Sequence, residues 1–533
     1  MNTFKKITNV FGWFVVLFLF CFGLYSGSQM TKTLWPGLHD DGVLYSTVLI
    51  NQASGLGSHF AVYTPSLILA EGKTNFASHG QLYYPIVAAL LAKPNYEALL
   101  TFLHQANLVG FLLAIVVLTL TTRRSLELGW LPSSLIGVLG GAAVVAVLQY
   151  LQGRPEHGIP FVLLAFQLIL LLLNWRAMPS WLAGVQIGLV GAISPQPGVI
   201  LGFASLLSLS LRTQETKALL IGALKMLGFS LLVWWAVTSA FYEGSLVGLL
   251  LNSTQGAKYF MFKPEEIPGF WLKMNLAPGL GLIFILGVCV AGFKALKVVF
   301  TGKHTMLQKA FVVLSLLPLI YFIFKHGIAW AATNYCFLPF LPGVGIWLIA
   351  NLKTIAFGLI GNPVFLNRIA GIILLLALTP PALGYFRTGL FQSSIIEKGV
   401  SFQNARADIE EFRNRLKGNE VIMIHSCNNA RSPVVFDGPP WKFRSLPWHG
   451  FLSVEKQLGY YTKYYLVLQN ANDKTPEGKG FILIHEKFAS EPVLLFGMPI
   501  KKSTPGYGYA IYERDDEWLQ KLAREPKTKE IYQ

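Results

Sequence analysis

The sequence predicts an α-helical polytopic membrane protein with about eleven transmembrane helices and a small C-terminal α/β domain. The chain has 533 residues, of which 53% are hydrophobic and 13% charged, and this is too apolar for a soluble protein of that size. Many of its apolar runs approach the roughly 20 residues that cross a bilayer. Beyond Phe386 acids and bases become frequent. We therefore predict a transmembrane domain over 1–385 and an extracytoplasmic α/β domain over 386–533.

The formal net charge of +16 does not indicate a nucleic-acid partner. Most of the excess lies in short loops between apolar segments, where the positive-inside rule accounts for it. Membrane lipids are the expected surroundings. The four cysteines, Cys21, Cys289, Cys336 and Cys427, have neither the spacing of a disulfide framework nor that of a zinc site.

Loop charge orients the predicted spans. Lys5 and Lys6 place the N-terminus in the cytoplasm, and the first span, about 8–28, is too long for a cleaved signal peptide. The remaining spans are predicted at about 99–121, 133–151, a fourth ending at Arg176, 181–193, 197–211, 218–241, 279–299, 311–324, 336–352 and 369–385. The segment 181–211 is either two crossings or a re-entrant hairpin, and both keep the C-terminus outside. A bacterial inner membrane is the expected location.

Shorter elements are predicted on the outer side. The segments 41–53 and 63–69 have helical apolar spacing but are too short to cross, so they are predicted as interfacial helices. In the C-terminal part, 401–416 is predicted as an amphipathic helix. Strands are predicted at 421–424, 464–468, 481–484 and 507–512.

The most informative polar feature is a pair of adjacent acids. Asp40 and Asp41 are the only aspartates in the first 407 residues, and carboxylates near a bilayer are costly unless they serve a function. A positioned carboxylate can act as a general base, and two adjacent acids can raise the pKa of one of them by repulsion. The alternative is that the pair caps a helix starting near Gly42, and the two roles can coexist.

Four short segments occur in an order that resembles a known class. They are 39–45 (HDDGVLY), 79–85 (HGQLYYP), 153–156 (GRPE) and 334–339 (NYCFLP). Their order and sidedness resemble the GT-C class of polytopic membrane glycosyltransferases, the polyprenyl-phosphate-sugar-dependent families related to protein O-mannosyltransferases and lipid A aminoarabinose transferase. Gln81 stands where those families usually have proline.

The resemblance implies an enzyme that transfers a hexosyl or pentosyl group. The donor would be a polyprenyl-phosphate sugar, and the acceptor a hydroxyl of a lipid, glycan or protein on the outer face. Asp40 aligns with the first acid of the family pair and is therefore predicted as the base. Asp41 would orient it, or hold the acceptor or a metal. No cofactor is predicted, although a divalent cation at the pair remains an alternative.

A departing lipid phosphate needs cations at the outer interface. The predicted phosphate-binding residues are Arg154, Lys325, His326 and Lys73. For Arg154 the alternative is snorkelling or a salt bridge with Glu156. The predicted substrate-binding residues are His79, Tyr83, Glu156, Asn334 and Tyr335. No metal site is predicted from His39, His59 and His79, because their spacing matches no closed metal motif.

Three other functions compete with this interpretation. A transporter or flippase would place charges within its spans and show broken helices and inverted repeats. Lys225 is the one clear charge inside a predicted span, the break at 194–197 (SPQP) is the feature that favours transport, and the sequence shows no repeat. A polymerase or ligase acting on a lipid-linked oligosaccharide is a second alternative. A noncatalytic scaffold would leave the paired aspartates unexplained.

Overall fold

The computed structural model describes the chain in segments. These are residues 2–29, 40–55, 57–58, 80–174, 178–242, 290–302, 304–329, 363–390, 411, 422–426, 443–445, 464–470, 481–488, 493–495, 498–501, 507–517 and 520. Up to residue 390 these segments are mostly helical, and strands follow from Ile422 onward.

The helices follow the apolar runs of the sequence. They are α1 (Asn2–Gln29), α2 (Asp40–Ala53), α3 (Tyr83–Leu90), α4 (Tyr96–Leu126), α5 (Trp130–Tyr150), a 3₁₀ turn (Pro155–Gly158), α6 (Ile159–Leu172), α7 (Ser180–Ile193), α8 (Pro195–Arg212), α9 (Thr216–Phe241), α10 (Met306–Ala329) and α11 (Pro363–Leu390). Residues 290–300 are also helical.

Within the described residues, 6 segments are long and apolar enough to cross a membrane. They are Asn9–Ser28, Tyr96–Leu126, Trp130–Gln149, Pro155–Leu172, Thr216–Phe241 and Val364–Phe386. The protein is therefore an integral membrane protein. The helices α7, α8 and α10 also lie at predicted spans. The predicted span at 336–352 lies outside the described residues. The total of about eleven crossings stays a prediction.

Small residues let the membrane helices approach one another, as α7 and α9 illustrate. A Cβ atom added at Gly184 would lie 2.4 Å from the carbonyl oxygen of Met226, and one at Gly188 would lie 2.7 Å from that of Ser230. Backbones can pack this closely only where side chains are absent, which is a common device in membrane helix pairs. The opposite side of α9 exposes large apolar residues such as Leu224, as a lipid-facing helix does.

The segment before α4 differs from the sequence expectation. A helix predicted over 41–53 is present as α2, but residues 46–51 are buried on every side. An interfacial helix would expose its polar face, whereas α2 buries Ser46, Thr47 and Asn51 together with its apolar residues. The helix α3 is an additional element that the periodicity did not predict, and the helix predicted over 63–69 lies outside the described residues.

The C-terminal part forms a mixed sheet. Its strands are β1 (Ile422–Ser426), β2 (Phe443–Ser445), β3 (Tyr464–Asn470), β4 (Phe481–Phe488), β5 (Val493–Leu495), β6 (Met498–Lys501) and β7 (Tyr507–Arg514). Five of them pair in the order β2-β1-β3-β7-β4, while β5 and β6 form a separate antiparallel pair. The strand β1 is parallel to β2 and β3, and β7 is antiparallel to β3 and β4.

The observed strands include the four that the sequence predicted. The predicted strands coincide with β1, β3, β4 and β7, while β2, β5 and β6 were not anticipated. The helix predicted over 401–416 falls almost entirely outside the described residues. Ile511 of β7 belongs to the same cluster of buried side chains as Val48 of α2 and Tyr84 of α3. The sheet therefore shares a core with the segment that begins at the paired aspartates.

Candidate active site

The helix α2 begins at the paired aspartates. Asp40 and Asp41 are its first two residues, so both lie in the first turn, where the positive end of the helix dipole favours acids. The Ser46 hydroxyl donates a hydrogen bond of 2.6 Å to the carbonyl oxygen of Gly42, which ties the first turn to the second. The helix starts two residues earlier than the capping alternative placed it.

A sharp turn after α5 lies directly against this first turn. Gly153 has φ +78°, the left-handed conformation that favours glycine. A Cβ atom at Gly153 would lie 2.4 Å from the carbonyl oxygen of Gly42 and 3.0 Å from the Ser46 hydroxyl oxygen. The contact is therefore one of backbone against backbone, and it places Arg154 next to the start of α2.

Arg154 and Glu156 form a buried ion pair in this turn. The Arg154 Nε atom lies 3.4 Å from the Glu156 Oε2 atom, with the two side chains only 4% and 5% exposed. The guanidinium carbon of Arg154 also lies 5.6 Å from the ring centroid of Tyr45, one turn along α2 from Asp41. The salt bridge is the alternative that the sequence left open for Arg154. It keeps the guanidinium against α2.

The other carboxylate oxygen of Glu156 binds the elbow between α7 and α8. The Ser194 hydroxyl donates to Glu156 Oε1 over 3.1 Å, and both residues are buried. Ser194 is the one residue between the two helices, and its backbone is extended. The break that favoured a transporter is therefore held by a side chain of the candidate site.

The segment before α3 is bonded to the same elbow. The amide of Gly80 donates to the carbonyl oxygen of Ile193 over 2.7 Å, and the amide of Leu82 to that of Ala192 over 3.5 Å. Gly80 has φ +89°, and a Cβ atom there would lie 3.0 Å from Pro155. Segments that are far apart in sequence, around residues 42, 80, 154 and 194, thus meet at one place.

Two tyrosines of α3 add buried hydroxyl groups. Tyr83 and Tyr84 are almost completely buried, and neither hydroxyl has a hydrogen-bond partner within the described part of the chain. Burial is the main cause that raises the pKa of both phenols above its usual value, and the charge of Glu156 adds to it. Both groups therefore stay neutral and able to donate a hydrogen bond beside the ion pair.

A second polar contact anchors the turn from the other side. The His157 Nε2 atom lies 2.8 Å from the Asn107 Oδ1 atom of α4, and both residues are buried. Since Oδ1 can only accept, Nε2 donates. The ring of Tyr83 meets that of His157 edge-on, with 6.2 Å between centroids. The 3₁₀ turn is thus fixed between α3 and α4.

The structure brings together part of the predicted site. It places Tyr83, Arg154 and Glu156 around the start of the helix that carries Asp40 and Asp41. Lys325 and His326 lie on the last turns of α10, and only their backbone is described. The predicted residues Lys73, His79, Asn334 and Tyr335 lie outside the described residues. Their roles, and those of the aspartates, stay predictions.

Several residues of the site were not singled out as candidates from the sequence. They are Tyr45, Tyr84, Asn107, His157, Gly153 and Ser194. Asn107 carried a signal, because a polar side chain inside an apolar span is costly and marks a contact or a function. The hydroxyl of Ser194 was visible only as part of a helix break. Among the described residues no three His, Cys, Asp or Glu side chains form a metal cluster.

No protein-family model matches the chain, and no curated protein matches it by sequence. Solved structures of the oligosaccharyltransferase of Archaeoglobus fulgidus are similar to it in fold. The apo form is 11% identical with TM-score 0.45, covering 85% of this chain and 69% of that one. The form tethered to an acceptor peptide containing the NVT sequon is 12% identical with TM-score 0.42, covering 92% and 76%. That enzyme is a GT-C membrane glycosyltransferase, the class that the motifs resemble. At this identity and TM-score the likeness does not assign an activity to this chain.

Proposed function

We propose that this protein is a membrane glycosyltransferase that moves a sugar from a polyprenyl-phosphate donor to an acceptor hydroxyl on the outer face of the membrane. The observation that carries the proposal is the meeting of three motifs at one place. The segments around Asp40, Tyr83 and Arg154 resemble one enzyme class in sequence. They come together where Gly153 lies against Gly42 and Gly80 lies against Pro155.

In the proposed mechanism Asp40 is the general base. It accepts the proton of the acceptor hydroxyl as the oxygen attacks the anomeric carbon, and the bond between that carbon and the donor phosphate breaks. Asp41 orients Asp40, or holds the acceptor or a divalent cation. Placement in the first turn of α2 supports the assignment, because the helix dipole stabilises the ionised carboxylates that a base requires.

In the proposal, basic side chains at the same face bind the departing polyprenyl phosphate. Arg154 is the central one, since the turn holds it beside the start of α2, and Lys325, His326 and Lys73 are further candidates. The substrates are assigned to Tyr83, Glu156, His79, Asn334 and Tyr335. The neutral hydroxyl of Tyr83 is buried beside Glu156, which suits a donor to sugar or phosphate oxygens.

The elbow at Ser194 bears on the transporter alternative. A transporter uses the free backbone groups of a broken helix to coordinate its cargo. Here the carbonyl oxygens of Ile193 and Ala192 accept hydrogen bonds from Gly80 and Leu82, and the Ser194 hydroxyl donates to Glu156. The polar groups of the elbow are thus used to join motif segments, which favours an enzyme site.

The test is a donor assay with the purified full-length chain in lipid nanodiscs. A panel of polyprenyl-phosphate hexoses and pentoses with radiolabelled sugar is offered with lipid, glycan and peptide acceptors. The proposal predicts release of polyprenyl phosphate together with transfer of label to one acceptor class. Movement of the labelled donor across sealed vesicles without release of polyprenyl phosphate would instead support a flippase and would refute the proposal.

A further inference from the structure

The start of α2 rests on a glycine of the neighbouring turn. We propose that Gly153 is a positioning residue for the paired aspartates. Because it has no side chain, the Gly42 carbonyl can lie against it, and this contact sets the distance between the first turn of α2 and Arg154. The inference rests on the proposed function, because it concerns the placement of the proposed base.

The contact leaves no room for a side chain. A Cβ atom at Gly153 would lie 2.4 Å from the Gly42 carbonyl oxygen and 3.0 Å from the Gly42 carbonyl carbon. Real Cβ atoms essentially never approach closer than 3.0 Å, so the two backbones would have to separate by at least about 0.6 Å. A flexible side chain could swing away, but the obstacle here is a main-chain peptide group.

The turn itself is fixed, so the displacement falls on α2. The amide of Arg154 donates to Leu151 over 2.9 Å, and the amide of His157 donates to Arg154 over 3.1 Å. Glu156 binds Ser194 in the elbow between α7 and α8, and His157 binds Asn107 of α4. A side chain at Gly153 would therefore push the Gly42 carbonyl, which in an α-helix accepts the amide of residue 46, and with it the turn that carries Asp40.

Two other glycines with positive φ, Gly55 and Gly80, do not share this contact. Gly55 has φ +73° and meets nothing within 4 Å, while Gly80 has φ +89° and meets only side chains, those of Tyr84 and Pro155. Gly55 follows the C-terminal end of the same helix α2. It therefore provides a matched control, because a substitution there introduces the same backbone strain without the collision.

The experiment compares Gly153→Ala and Gly153→Asn with Gly55→Ala in the full-length protein in nanodiscs. Asparagine tolerates positive φ better than alanine. A loss of turnover shared by both Gly153 variants therefore points to the collision with the Gly42 carbonyl and not to backbone strain. Misplacement of a catalytic group by about 1 Å can cost about 10²-fold in rate. We expect kcat to fall by about that factor in both Gly153 variants, with a smaller change in donor KM and near-parent turnover in Gly55→Ala.

Hydrogen exchange supplies a readout that does not depend on activity. We expect the amides of residues 44–47 to exchange about tenfold faster in the Gly153 variants and at the parent rate in Gly55→Ala. Equal kcat in Gly153→Ala and Gly55→Ala, or unchanged exchange in α2, would overturn the inference. If the parent protein transfers no sugar, the proposed function fails, and the exchange comparison alone decides whether Gly153 positions α2.

Discussion

The buried ion pair of Arg154 and Glu156 gives a prediction whose magnitude follows from the structure. Both side chains are about 95% buried, so replacing Arg154 removes the cation that lies against the Glu156 carboxylate in a poorly solvated place. Breaking such a pair costs about 3–5 kcal/mol, whereas replacing both partners by neutral groups is often close to neutral. We therefore expect Arg154→Met to be strongly destabilising and the double variant Arg154→Met/Glu156→Gln to recover much of the loss.

The measurement is thermal unfolding of the purified protein in detergent, followed by tryptophan fluorescence. Arg154→Met should lower the unfolding temperature by about 3–5 °C, because the unfolding entropy of a chain of this length is about 1.1 kcal/mol/K. The exposed Arg368 of α11 supplies the control, because Arg368→Met removes a cation outside the pair. The free energy of unfolding of this variant should stay within about 0.5 kcal/mol of the parent value. An Arg154→Met protein as stable as Arg368→Met, or a double variant less stable than Arg154→Met, would refute the reasoning.

Further predictions concern the elbow, the helix packing and the topology. Ser194→Ala removes a hydrogen bond to a charged carboxylate and should cost about 1.5–3 kcal/mol, read as a shift in unfolding temperature; no shift would mean that Glu156 does not hold the elbow. Gly184→Ala should destabilise the pair of α7 and α9 by about 1–3 kcal/mol, whereas Gly228→Ala, which meets nothing within 4 Å, should not; equal stability of the two variants would contradict the packing. An alkaline phosphatase fusion after Phe386 should be active if the C-terminus is outside, and an inactive, well-expressed fusion would reverse the orientation.

The sequence predicts candidate residues for a site but not the contacts among them. Asp40 and Arg154 stand out as charged residues beside apolar spans, whereas Tyr83 and Glu156 stand out through motifs that resemble the GT-C class. The contacts within the site join residues that are far apart in the chain. Ser194 binds Glu156, and Asn107 binds His157. No periodicity links such positions, since each pair forms only when separate helices pack together.

The burial of α2 shows a second limit of sequence patterns. A short segment with apolar residues at helical spacing predicts an amphipathic helix, and its polar residues are then expected to face water. In α2 the polar residues Thr47 and Asn51 are buried with the apolar ones, because neighbouring segments cover that face. Tertiary packing decides which segments cover a helix. The helix itself was therefore predicted correctly, while the prediction that its polar residues face water was wrong.

The close contact of Gly153 with Gly42 also could not be predicted from the sequence. The motif at 153–156 indicated a turn, since glycine and proline flank Arg154. It did not indicate that the turn rests on the backbone of α2, because the left-handed φ of Gly153 and its distance from Gly42 exist only in the folded chain.

The most direct test of the proposed mechanism is the turnover of Asp40→Asn, with Asp41→Asn and the double variant beside it. Asparagine keeps the size of the side chain and favours a helix N-terminus, but it cannot accept a proton. Turnover of Asp40→Asn in the polyprenyl-phosphate release assay should fall by about 10²-fold or more while donor binding is kept. Asp41→Asn should lose less, and the reverse ranking would exchange the two roles. Transfer at the parent rate by all three variants would show that the aspartates only stabilise the start of α2, and would contradict the mechanism.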